Sequence, residues 1–157
     1  MTGNIQVRMI GHAAVIMLVA FMAGGGLLAS LLGGLELVPG TISPIEIFGQ
    51  TDAWVRAHVG GMLNAIMIMV VALAFPVLRF TEAGAGRIAV LLVGTGWANT
   101  LFYWAALLAP NRALSFGDNR YGEANWIAWL GLAPALVFTV LIFIAFALIA
   151  RQALARR

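Results

Sequence analysis

No cysteine occurs in the 157 residues, all nine basic residues are arginine, and only 10% of side chains are charged. The missing cysteine excludes disulfides, iron–sulfur clusters, thiolate-ligated haem and haem attached through Cys-x-x-Cys-His. Any metal must be held by His, carboxylate, Tyr or Met, and any haem must be non-covalent. The scarcity of charge excludes an ordinary soluble domain, in which about a quarter of residues are charged. Hydrophobic residues make up 62% of the chain, in long uninterrupted blocks, with a mean hydropathy of +0.99. This is the composition of an integral membrane protein. The pI near 10.6 comes from arginines at the ends of those blocks, so membrane topology explains it and nucleic acid does not.

Four segments meet the requirement of about 20 residues for crossing a bilayer: 9–32, 54–78, 87–108 and 126–150. The first runs past a signal-peptide core of about 7–15 residues and is expected to remain as a helix. The sequence thus predicts one all-α domain over 1–157, a four-helix transmembrane bundle. The connection 79–86 is short, making helices two and three an antiparallel hairpin. The connections 33–53 and 109–125 are long and rich in Gly, Pro, Asn and Asp, as turns require. Long ordered loops in a small protein are more often functional.

The termini and short connection carry six arginines against one glutamate; the long-loop side carries three against five acids. By the positive-inside rule both termini face the cytoplasm and the long loops face outward. The expected location is the bacterial inner membrane, crossed several times.

Polar side chains inside a span are costly unless satisfied or used, and three spans carry them. In helix two, WVRAHVGGMLNAIMIMV, His58 and Asn64 lie about 9 Å apart along the axis and about 120° around it. His58 is either a metal ligand or a satisfied histidine; Asn64 either lines a site or joins two helices. Gly60 and Gly61 leave room there for a neighbouring helix or a flat macrocycle. In helix three, GTGWANTLFYW places Thr95, Asn99 and Tyr103 at i, i+4, i+8 on one face. An antiparallel hairpin brings His58, Asn64, Asn99 and Tyr103 into one cavity. Tyr103 is equally readable as part of an interfacial aromatic belt, the reading that suits Trp97 and Trp104. Helix four is almost purely apolar, with Pro134 expected to bend it. In helix one, Gly24–Gly26 and Gly33–Gly34 suggest close helix packing.

The other histidine, His12, lies about one turn inside the cytoplasmic end of helix one. Its expected depth differs from that of His58 by about 15–20 Å in a core about 30 Å thick. A single haem cannot join both within one subunit, so iron on His58 keeps an open face. That suits Lewis-acid chemistry better than electron carriage.

WVRAH with Asn64, GWANTLFYW, and the loop APNRALSFGDNRYG together resemble the styrene oxide isomerases, a likeness running from about Arg8 to Ala150. The resemblance implies a homotrimeric membrane enzyme carrying non-covalent ferric haem b. Its reaction would be the Meinwald rearrangement of an apolar aryl epoxide, styrene oxide giving phenylacetaldehyde, with no net redox change. His58 matches the haem-ligating histidine, and Asn64 and Tyr103 match active-site residues. Asn99, Thr95 and Gly61 are candidates for the cavity lining. Thr95 stands where the family is associated with an acidic residue. Two other readings suit the residues alone: a haem-binding, quinone-linked redox subunit, or a small non-enzymatic membrane component.

Overall fold

The computed structural model describes residues 2–155. Its helices are α1 (Thr2–Leu32), α2 (Thr51–Leu78), α3 (Glu82–Leu108) and α4 (Trp126–Leu154), each long and apolar enough to cross a membrane. Strands β1 (Gly34–Val38) and β2 (Thr41–Pro44) form an antiparallel hairpin between α1 and α2. All four helices extend past the apolar runs seen in the sequence. Hydropathy marks only the part that suits hydrocarbon, whereas the backbone continues until a cap ends it. Thr81 caps α3 by accepting from the Gly84 amide at 3.2 Å, and Asn125 caps α4 by accepting from the Ala128 amide at 3.0 Å.

Gly33 closes α1 with a φ of 64°, the left-handed conformation that glycine adopts without a Cβ penalty. A Cβ at Gly34 would run into the Ser43 carbonyl of β2. This glycine pair therefore turns the chain into the hairpin and does not pack helices, which corrects the sequence expectation. The Gly24–Gly26 run does serve close packing, but against side chains of α2. A Cβ at Gly24 would meet the His58 ring, and one at Gly26 the Trp54 ring.

Contacting pairs define how the helices run. Ser30 meets Thr51 at one end of α1 and α2, and Ala20 meets Gly61 further along, so the two are antiparallel. Gly60 meets Tyr103 and Gly96 meets Ile68, so α2 and α3 are antiparallel as expected. Gly131 against Ala105 and Gly94 against Phe138 give the same relation for α3 and α4. The central layer holds Met9, Ile16, Ile68, Ile88 and Leu92, all nearly inaccessible. Gly96 lets Ile16 and Ile68 approach the α3 backbone, the small-residue packing expected where lipid removes the hydrophobic drive between helices. Outward faces are apolar too, with Leu18, Val70, Val140 and Phe143 exposed.

Candidate active site

Between Arg56 and Gly60, α2 widens into a single π turn, a distortion frequent at functional sites. His58 sits in its middle, half-buried against α1, with Nδ1 2.9 Å from the Ala20 carbonyl. A carbonyl only accepts, so Nδ1 carries the proton and donates, and the lone pair resides on Nε2. No described residue hydrogen-bonds Nε2. Glycine at position 24 is what admits the ring: a Cβ there would fall 2.8 Å from both Nδ1 and Cε1. The imidazole is thus fixed in tautomer and orientation by backbone, as metal-binding histidines usually are.

Two residues further, the Gly60 carbonyl accepts from Asn64 Nδ2 at 2.9 Å. This fixes the amide of Asn64 and turns its Oδ1 to α3, where Asn99 Nδ2 donates to it at 3.1 Å. Asn64 is buried, and each half of its amide retains one unused site, an N–H and a lone pair. Tyr103 lays its ring on Gly60, where a Cβ would come 2.6 Å from Cε2 and 3.0 Å from the hydroxyl oxygen. The π turn is therefore braced on one side by Ala20 and Gly24 and on the other by Asn64, Asn99 and Tyr103. Of the four residues that the sequence assigned to one site, Asn64 and Asn99 bond each other and Tyr103 lies on Gly60, whereas the His58 ring is held against α1.

Thr95 does not join them. Its hydroxyl donates to Leu91 O at 2.7 Å and points to Phe138 O of α4 at 3.5 Å. Each i+4 step gains about 40° around a helix with 3.6 residues per turn, so a stripe reaching α2 at Asn99 and Tyr103 has rotated towards α4 at Thr95. Gly61 faces α1, where a Cβ would lie 2.8 Å from that of Ala20; its smallness serves helix approach. His12 lies nearly three turns inside α1, because the helix begins at Thr2. It is eight residues from Ala20, about 12 Å along the axis, somewhat less than the separation expected from the sequence. Its Nδ1 accepts from Trp97 Nε1 at 3.2 Å.

Arg56, counted in the sequence only as a topological charge, opens the π turn. Its Nε and Nη2 are shielded from solvent without a hydrogen-bond partner. The 109–125 loop closes over this end of the bundle, built around fully buried Asn111, whose Nδ2 donates to Ser115 O and Gly117 O. Arg112, held with a φ of 59°, pairs with Asp52 at 2.6 Å, bonds Gln50, and stacks 4.0 Å from the Tyr121 ring. The loop is thereby tied to the start of α2, just before His58. The sequence signal for both arginines was a charge beside an apolar span, which topology alone accounts for.

Among the described residues no three His, Asp or Glu side chains gather as a metal site. A metal at His58 must therefore bring most of its own donors. A macrocycle does that, and a lone imidazole with a free Nε2 and a fixed Nδ1 fits one.

The styrene oxide isomerase family model matches residues 5–154. A styrene-oxide isomerase of Pseudomonas fluorescens is 37% identical over 147 residues, covering 94% of this chain and 87% of that protein. The likeness spans all four helices, the π turn with His58, and the loop built on Asn111. The chain is an isomerase and belongs to the styrene oxide isomerase family.

Proposed function

We propose that this protein rearranges an aryl epoxide such as styrene oxide to the aldehyde, phenylacetaldehyde, with ferric haem b held by His58. Its setting is a homotrimer in the bacterial inner membrane with both termini in the cytoplasm. The observation that carries the reading is the backbone-fixed imidazole in a π turn with Asn64 and Tyr103 beside it. When bound, the haem supplies a Lewis-acidic centre that withdraws electron density from the epoxide oxygen. His58 would hold the iron through Nε2, and Ala20 keeps it in that tautomer.

Tyr103 makes no side-chain hydrogen bond within the described residues, so its hydroxyl is available to donate to the epoxide oxygen. Asn64 contributes its remaining N–H and lone pair, and Asn99 holds that amide in place. The apolar walls limit water, which would otherwise open the epoxide to a diol. In the substrate the benzylic C–O bond breaks, hydrogen migrates with its electron pair from the terminal to the benzylic carbon, and the carbonyl forms. Product and substrate are isomers, so no external electron acceptor is involved. An apolar epoxide can enter from lipid, and no charged channel is required.

The test is an absorbance spectrum of the purified protein followed by addition of styrene oxide. A Soret band and accumulation of phenylacetaldehyde are expected. Aldehyde from a protein without a Soret band would remove the haem. A Soret band with catalytic electron flow and no aldehyde would favour a redox subunit.

A further inference from the structure

Among the described residues nothing hydrogen-bonds Nε or Nη2 of Arg56. We propose that Arg56 receives a carboxylate of the macrocycle whose iron His58 ligates; this rests on the haem reading above. Nε and Nη2 are cut off from solvent and have no acceptor. The residue is half-buried, and N–H donors shielded from water without an acceptor cost free energy that an anion placed there would recover.

The natural partner within the helix would be Asp52, four residues earlier, at the spacing that pairs Asp with Arg along a helix face. Asp52 is instead committed to Arg112 at 2.6 Å. The other acids are elsewhere. Glu36 accepts from the Gly40 amide in the hairpin and Asp118 from the Ala124 amide in the far loop. Glu82 begins α3 at the opposite end of the bundle, and Glu46 and Glu123 are exposed. The protein thus pairs one arginine of this region with its own acid, leaving only Arg112 Nε without an acceptor, whereas Arg56 has no acid and keeps both Nε and Nη2 unpaired.

Position supplies the second part of the case. Arg56 and His58 are two residues apart in one π turn of five residues. Side chains at that spacing leave different faces of a helix, so it is the length of the arginine that would carry its guanidinium to the rim of a ring held on His58. Haem b carries two carboxylates on its rim, and a guanidinium with adjacent Nε and Nη2 donors can engage a carboxylate through both. A fixed imidazole and a carboxylate-binding arginine in one turn would set both the iron and the rotation of the ring about the Fe–N bond.

The test compares haem b with its dimethyl ester, which keeps iron and ring but has no carboxylate. Full-length protein made without haem is titrated with each, following the Soret band. Unmodified protein is expected to bind the free acid about 10–100-fold more tightly than the ester. Arg56→Gln should lose most of that preference while keeping the Soret position that reports His58 ligation, and Arg56→Lys should recover part of it. Holoprotein carrying Arg56→Gln should also surrender haem to apomyoglobin faster by a similar factor. Equal binding of acid and ester by the unmodified protein would overturn the proposal without touching His58, and needs no variant to fold. Full preference retained in Arg56→Gln would overturn it as well, pointing to a carboxylate of another copy or a lipid phosphate as the partner of Arg56. Uptake of neither form by the unmodified protein would sink the haem reading itself, and this proposal with it.

Discussion

His58 and His12 are both helical histidines inside apolar spans, yet their surroundings differ in kind. His58 gives its N–H to a backbone carbonyl of another helix, in a turn whose geometry departs from α. His12 accepts from a tryptophan indole at 3.2 Å, in regular helix, beside a cleft of about 300 Å³ shared with Arg8. In the first case the outer nitrogen is presented and the ring is held by atoms that cannot rotate away. In the second, the partner is a side chain at the surface. A histidine becomes a ligand by what fixes its other nitrogen, not by its depth in the membrane.

The contrast can be broken most directly at the rings themselves. His58→Ala should abolish the Soret band, exceeding the roughly 10–100-fold loss of affinity typical when only an outer-shell partner is removed; a retained band would move the ligand elsewhere. Tyr103→Phe should keep haem but lower kcat for aldehyde formation about 100-fold, the scale of losing one donor to a developing oxyanion. An unchanged rate would clear the hydroxyl of any chemical role.

Glycine substitutions sharpen the comparison further. Gly24→Ala places a Cβ 2.8 Å from the His58 ring, an overpacking worth about 1–3 kcal/mol. It should speed haem loss to apomyoglobin about tenfold, whereas Gly25→Ala, with open space around it, should not. Equal behaviour of the two would show that the α1 backbone does not position His58. The smallest effect is expected at the other histidine. His12→Ala should leave the haem spectrum intact and lower thermal stability by at most about 1 kcal/mol.

Much of the site was legible before any coordinates because polar residues in a membrane span are conspicuous. His58, Asn64, Asn99 and Tyr103 each interrupt an apolar run, and an antiparallel hairpin matches Asn64 with Asn99 in depth and His58 with Tyr103 nearer the surface. Thr95 was legible as polar but not in its direction, since 40° of rotation per helical step is invisible in an i, i+4 count. Gly61 could admit a neighbouring helix or a flat ligand, and only Ala20 shows that a helix occupies that room. Arg56 offered the sequence no further signal. A charge at the end of a span already has an explanation in topology, and its lack of a partner emerges only when Asp52 is seen with Arg112.

Composition and periodicity alone determined four apolar helices, the short antiparallel connection, and which residues had to be accounted for chemically. These are local matters: hydropathy, helical repeat and the cost of polarity in hydrocarbon act within one segment. The tertiary structure decided the tautomer of His58, the orientation of the Asn64 amide, the direction of Thr95 and the unmatched charge of Arg56. Each of these depends on an atom supplied by a different helix or loop, and no pattern within a single segment encodes that neighbour.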